Sequence, residues 1–435
     1  MKGLFIFLGM LMSCFNGKAQ SDYLQDAAPL HRAEKALTDV IIHDIFSPPV
    51  SSRIYLYANI AAYEILAKSD PEHYASLYGQ VKSFPLIPPA NKKISASLAA
   101  VCAFMEVGKK LVFSEPMLDD SLHNMLTWYK TKGIDRSVYD ASLKYGQQIA
   151  DTILSWANQD HYTETRKLPR YRFLKKEGKW IPTPPAYMAA IEPYWNRIRL
   201  IALDSVTQYR PPLAIDFSKD TASHFYKQAY DVYQTGNRLT ADQKAIARFW
   251  DCNPFAVNMQ GHLHFAEKKI SPGGHWISIV SVVAQNKNMS ITESASLYTI
   301  TSIALFDAFI SCWDEKYRSN VIRPETYIND YIDESWRPVL QTPPFPEYVS
   351  GHSIISAAAA VVLSRLLGDH VAFDDNTETE FGLPVRHFDS FMQASEEAAV
   401  SRFYGGIHYR AAIETGFDEG KLIGEWVYKK IRLKK

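Results

Sequence analysis

Three observations predict an all-α fold, a helical bundle. Apolar residues recur at three- and four-residue intervals over long stretches, two capping boxes open further helices, and two-residue alternation is scarce. A sheet-based architecture is therefore not expected. With 435 residues, 47% hydrophobic and 22% charged, the chain can bury a large core and has the length of one large or two ordinary domains. Lysine plus arginine equals aspartate plus glutamate at 47 each, so no global field favours nucleic acid or an anionic membrane. Any anion site must be local. No nucleic-acid partner is expected, and a homo-oligomer stays open.

The N-terminus reads as a signal peptide over residues 1–19. Lys2 precedes an apolar run over residues 3–12 that is too short to span a bilayer, and Gly17-x-Ala19 fits cleavage after Ala19. The alternative is lipoprotein processing at Cys14, from the loose lipobox Leu11-Met12-Ser13-Cys14. No later segment approaches about eighteen uninterrupted apolar residues, so no transmembrane segment is expected. The expectation is a soluble protein secreted across the inner membrane, periplasmic in a Gram-negative bacterium.

Helical periodicity covers residues 28–65 and 94–113. Between residues 167 and 212, prolines crowd together (Pro182, Pro184, Pro185, Pro193, Pro211, Pro212), which predicts an irregular excursion and a candidate lid or boundary. Residues 20–215 thus read as an N-terminal helical region and residues 216–435 as a C-terminal catalytic one. Thr240-Ala241-Asp242-Gln243 and Ser290-Ile291-Thr292-Glu293 are capping boxes, and the second leads into a long apolar helix ending near Trp313. Beyond Cys14, Cys102, Cys252 and Cys312 are odd in number and widely spaced, which predicts buried free thiols rather than a disulfide framework. His262 and His264 with Glu267 imitate a metal-ligand spacing, but no third ligand follows in a suitable pattern, and no metal site is expected there. Residues 251–276 are instead expected to help wall a cavity.

Three segments in the C-terminal third carry the chemistry. In the first, Lys316 emerges at the end of a helix and Arg323 follows before Pro324, which pushes the arginine backbone toward an extended conformation. A lysine point charge and an arginine fork are complementary binders of one anion. In the second, Pro343-Pro344-Phe345-Pro346 forces an extended approach, and Ser350, the Gly351 amide and His352 then fall at a helix N-terminus, where free amides and the helix dipole favour an anion. In the third, a helix ending near Arg402 is broken by Gly405-Gly406, and His408 follows the turn. Each segment alone has a bland explanation; together they assemble a site for a phosphate-like oxyanion.

As a set the segments resemble the signature K-x6-R-P, P-S-G-H and S-R-x5-H shared by the type 2 phosphatidic acid phosphatases and the vanadium-dependent haloperoxidases. The resemblance covers residues 250–425 and implies the helical bundle of that superfamily. It implies vanadate as cofactor, its equatorial oxygens bound by Lys316, Arg323 and Arg402 with the Ser350 hydroxyl and Gly351 amide. His408 would bond the vanadium, or attack phosphorus in a phosphatase, and His352 would be the acid–base residue. Two departures stand out: Val349 replaces the expected proline, and Ala412 stands where many members have an aspartate to orient the second histidine. A backbone carbonyl or another carboxylate such as Glu414 must then orient His408.

The Phe345-Pro346-Glu347-Tyr348 approach and the Gly406 to Arg410 ending look like bacterial haloperoxidases. That branch implies oxidation of iodide or bromide by hydrogen peroxide to a hypohalous species, with Lys316 polarising the oxidant. Phe255, Trp276, Trp313 and Phe345 are candidates to line the halide's approach, with packing in the core the alternative for each. The alternative is a secreted acid phosphatase cleaving a phosphate ester through a phosphohistidine at the same site. A non-catalytic anion carrier would have no need of His352.

Overall fold

The computed structural model describes residues 25–260, 263–266 and 268–435. The signal segment, Cys14, His262 and Glu267 therefore lie outside the described residues.

The expected all-α architecture is found. The N-terminal helices are α1 (Ala28–His43), α2 (Pro48–Ser69), α3 (Ala96–Leu111), α4 (Glu115–Thr131), α5 (Arg136–Ala157) and the short α6 (Tyr162–Arg166). The periodic stretch over residues 28–65 is two helices rather than one, because Pro48 and Pro49 start a new first turn and cannot continue the old one. The C-terminal half contains α7 (His224–Gly236), α8 (Ala241–Phe249), α9 (Pro272–Asn286), α10 (Ile291–Ser319), α11 (Pro324–Tyr331), α12 (Gly351–Leu367), α13 (Phe391–Tyr404) and α14 (Arg410–Lys430). Sheet is limited, among the described residues, to two antiparallel ribbons. One pairs β1 (Val257–Gln260) with β2 (Leu263–Ala266), Val257 opposite Ala266; the other pairs β3 (Phe373–Asp375) with β4 (Arg386–Phe388), Phe373 opposite Phe388.

Both capping boxes form. Thr240 Oγ1 accepts from the Gln243 amide and Gln243 Oε1 from the Thr240 amide, and Ser290 and Glu293 do the same at α10. α10 is long and apolar enough to cross a membrane, but its apolar window is wholly buried in the protein. α2 and α12 are likewise apolar on nearly every face, as helices enclosed on all sides must be. α10 packs against α2 on one side and α12 on another. The main apolar core runs without interruption from Ala27 to Leu433.

The excursion after α6 contains only a 3₁₀ turn at Trp195–Arg197. It is pinned from below: the Asp307 carboxylate, on α10, accepts the amides of Ile201, Ala202 and Leu203 at 2.7–2.9 Å. It is not a loose cover but a brace, since the Ile191 amide donates to Pro344 and the Ile191 carbonyl accepts from Trp313 and Tyr317.

α12 must be held closely, because its first turn carries Ser350 and Gly351. Gly416, Gly420 and Gly424 line the α14 face that meets it, and a Cβ on Gly420 would stand 2.2 Å from the Ile354 carbonyl. Gly420→Ala is expected to separate the two helices and destabilise the fold by about 1–3 kcal/mol. Thermal unfolding measures the cost, and an unchanged Tm would show that the contact can relax freely.

Candidate functional site

Residues 343–349 form an extended strap across the end of α10. Lys316, in the last turn of that helix, is fully buried, and its Nζ donates to the carbonyls of Pro346 (3.1 Å), Glu347 (3.0 Å) and Val349 (2.5 Å). Those three bonds match its three donors and fix it as a point charge behind the strap. Burial lowers its pKa to about 8. Arg323, extended before Pro324 as expected, donates from Nε to Phe345 O and from Nη1 to Ile407 O, both at 2.8 Å. Its Nη2 is buried and has no partner. The Phe345 ring lies 5.1 Å from both cations and packs on Trp313.

At the start of α12 the Ser350 Oγ accepts from the Ser353 amide and hydroxyl, which leaves its own proton to donate. Helix geometry leaves the Gly351 amide without an intrahelical acceptor. His352 is half-buried, and its Nε2 is a buried atom with no partner. Its hydrogen bond to the Trp250 backbone must therefore use the other ring nitrogen. Burial first, then Arg402, holds this imidazole well below its ordinary pKa, so it is neutral at pH 7.

The third segment folds back onto the first. Arg402, near the end of α13, is buried and donates to Ser401 Oγ and to the carbonyls of Trp250 and Asp251. The chain then turns at Gly405 and Gly406, the latter at φ 75°, with the sites of their missing Cβ atoms filled by Leu340, Trp336 and Pro338. The turn delivers His408 into the cluster. Its Nε2 lies 3.1 Å from Arg323 Nη1, and its Nδ1 lies 2.8 Å from Glu347 Oε1, which also accepts the Tyr409 amide at 2.9 Å. An arginine can only donate, so Nε2 must be the acceptor nitrogen and Nδ1 the N–H that Glu347 accepts. Burial, followed by Arg323 and Lys316, keeps His408 neutral.

Of the expected alternatives, a backbone carbonyl or another carboxylate such as Glu414, it is a carboxylate that orients His408, and that carboxylate is Glu347. Glu414 is exposed on α14, and the Ala412 carbonyl is occupied by the Ser350 amide. Burial raises the Glu347 carboxyl to about 7, against the pull of Arg323. The one signal available was a lone acid in a stretch of prolines and aromatics.

Gly351, His352, Arg402 and His408 line one narrow cleft, with a cavity volume of about 40 Å³. Lys316, Arg323 and Ser350 stand immediately behind them, buried. Phe255, Trp313 and Phe345 also line the cleft, as does the loop over residues 251–254. Trp276 does not: it is buried between helices with its indole N–H on Ser356 Oγ at 2.8 Å. Cys102, Cys252 and Cys312 are buried free thiols, as expected.

Lys316 and Arg323 bear on the one carboxylate, Glu347, that also holds His408, while Arg402 has Asp251 as its nearest acid. Burying charge without a counterion is costly. An unpartnered Arg323 donor, an unpartnered His352 nitrogen, a helix N-terminus and a neutral imidazole suit a tetrahedral oxyanion with room for a bond to its central atom.

Comparison with known proteins agrees with this geometry. A family model for the VCPO second helical-bundle domain matches residues 296–434. The chain is similar to the crystal structure of a bacterial vanadium-dependent iodoperoxidase, with a TM-score of 0.88 and 47% identity over 94% of this chain and 97% of that one. A bacterial vanadium-dependent chloroperoxidase in its holo form shares the fold, with a TM-score of 0.65 at 15% identity over 89% of this chain and 93% of that one. Vanadium chloroperoxidase from Curvularia inaequalis is 24% identical over 363 residues, spanning 64% of this chain and 57% of that protein's length.

Proposed function

The chain belongs to the vanadium-dependent haloperoxidases, and on that premise we propose that it oxidises iodide or bromide with hydrogen peroxide at the cleft around His408. The observation that carries this reading is the convergence of buried donors on a neutral His408 whose Nε2 is the acceptor nitrogen. Arg323, Arg402, the Ser350 hydroxyl and the Gly351 amide would hold the oxygens of vanadate with the Lys316 charge behind them, and His408 Nε2 would bond its vanadium. Bound there, vanadate supplies a Lewis-acidic centre that activates hydrogen peroxide without changing its own oxidation state.

The chain's own residues do the rest. Glu347 fixes the His408 tautomer. His352, neutral with a free Nε2, takes a proton from incoming peroxide and returns one to the leaving oxygen. Halide, hydrogen peroxide and one proton become hypohalous acid and water. Phe345 and Trp313 cover Lys316 and keep water from screening its charge. Iodide is the favoured halide, on the strength of the iodoperoxidase that shares 47% identity.

The test is triiodide formation by purified protein with peroxide and iodide, before and after incubation with orthovanadate. Activity that appears only with vanadate is the expected result. Phosphate-ester hydrolysis inhibited by vanadate, without iodide oxidation, would instead make the protein a phosphatase.

Lys316 sets an alkaline limit. Its pKa is lowered to about 8, so in the free protein the charge is present below that value and lost as pH rises through it. Vanadate affinity should fall above about pH 8, and Lys316→Arg, which stays charged, should move that limb upward. Identical profiles for the two proteins would assign the limb to vanadate's own ionisation.

Residues 1–19 are proposed to direct export to the periplasm, with lipidation at Cys14 as the alternative. The N-terminal mass of protein recovered from that compartment separates the two.

A further inference from the structure

We propose that Cys252, His275 and Glu378 form a second inorganic site, one that binds a zinc-type dication and stiffens the loop holding Arg402. Cys252 Sγ lies 3.4 Å from His275 Nδ1 and 3.8 Å from Glu378 Oε1, and His275 Nδ1 lies 3.1 Å from Glu378 Oε1. All three residues are buried. Zinc bonds of about 2.3 Å to sulfur and about 2.0–2.2 Å to nitrogen and oxygen place tetrahedral ligands roughly 3.3–3.6 Å apart. The observed separations of 3.1, 3.4 and 3.8 Å bracket that range, each within about 0.3 Å of it. Thiolate, imidazole and carboxylate together are a donor set that selects zinc over magnesium or calcium.

The surroundings are those of a ligand histidine. His275 Nε2 is 2.8 Å from Asp375 Oδ2, and Asp375 is itself held by the Thr377 amide (3.0 Å) and hydroxyl (2.7 Å). A carboxylate on the far nitrogen fixes the tautomer and turns Nδ1 toward a metal. The Trp250 ring stacks on the imidazole at 4.5 Å and prevents it from swinging. Three protein ligands leave a fourth position for water.

The rival account is a purely hydrogen-bonded cluster, in which a protonated His275 bridges Asp375 and Glu378. It explains the two carboxylates. It does not explain why a thiol completes the triangle, at a residue held at φ 33°, a conformation that a non-glycine side chain seldom adopts.

The position gives the site its consequence. Trp250 and Asp251, whose carbonyls accept from Arg402, immediately precede Cys252, and Cys252 lines the same cleft as His352. A dication tying Cys252 to α9 and to the turn at residues 376–378 would hold that loop rigid. The set is not legible in the sequence, where its members are spread over residues 252–378 and follow no metal-ligand spacing.

The experiment titrates the full chain, purified without a histidine tag, with cobalt(II) and then zinc(II). Expected is one cobalt per chain, with the near-ultraviolet thiolate-to-cobalt band and the visible bands of a tetrahedral centre, displaced by one zinc. Cys252→Ser, nearly isosteric, should lose the thiolate band, and Glu378→Gln should weaken binding by roughly 10-fold or more. Zinc should raise the Tm of the wild type but not of Cys252→Ser. Cobalt binding without the thiolate band, the same band in Cys252→Ser, or no metal retained after gel filtration would each overturn the proposal. These readouts are independent of vanadate and of iodide turnover.

Discussion

Alanine in place of His408 is expected to reduce vanadate-dependent iodide oxidation to the rate of vanadate free in solution, while the protein remains folded. The anion cluster would keep its three cations, so electrostatic attraction for vanadate would persist. What disappears is the neutral ring nitrogen that Arg323 and Glu347 hold from both sides. The separation of these effects is the informative part: affinity for phosphate, which needs only charges and donors, should fall far less than affinity for vanadate. Loss of a protein ligand or its orienting partner typically costs 10- to 100-fold or more in metal affinity. Equilibrium dialysis of both anions, together with triiodide formation at saturating vanadate, measures the contrast. Full turnover in His408→Ala would remove this residue from the site. The fold should survive because the Tyr409 amide still occupies Glu347 Oε1 and the turn at Gly405 and Gly406 is fixed by Leu340 and Trp336, not by the imidazole.

What could be read from the sequence follows from which forces are local. Capping boxes at Thr240 and Ser290 are contacts between residues three apart, so they were legible and they form. The roles of Pro324 and Gly406 are likewise set by backbone sterics at single positions. The three anion-binding segments were legible because each combines a charge with a backbone device that presents it. Glu347 was not legible as the partner of His408, since the two are 61 residues apart and meet only when the strap is drawn across α10 by Lys316. Glu414, the carboxylate named as an example, falls on the solvent face of α14. Of the two places open to Trp276, the halide's approach and the core, it takes the core, with its indole N–H on Ser356 Oγ. The irregular region looked like a lid because proline density reports only the absence of helix; that Asp307 pins it to the core is a tertiary fact.

Glu347→Gln is expected to lower vanadate affinity by roughly 10- to 100-fold, the usual cost of losing the partner that orients a ligand histidine. In the native protein one carboxylate oxygen accepts two N–H groups, from His408 Nδ1 and Tyr409. A glutamine oxygen can still accept both, so the backbone at Tyr409 and the fold should be preserved. The charge is lost, however, and with it the preference that pins the proton to Nδ1. The amide can also turn its NH₂ toward the ring, which would move the proton to Nε2 and convert the ligand nitrogen into a donor facing another donor, Arg323 Nη1. Glu347→Ala should be worse on a second count, because it leaves two buried N–H groups without an acceptor, at about 1–3 kcal/mol each in stability. The pair of variants therefore separates positioning from packing. Glutamine should impair vanadate binding with Tm nearly unchanged, and alanine should lower both. Equal vanadate affinity in the wild type and Glu347→Gln would mean that the strap and the turn alone orient His408. The ring nitrogens can be read directly by ¹⁵N NMR of histidine-labelled protein, where the wild type should show His408 protonated at Nδ1.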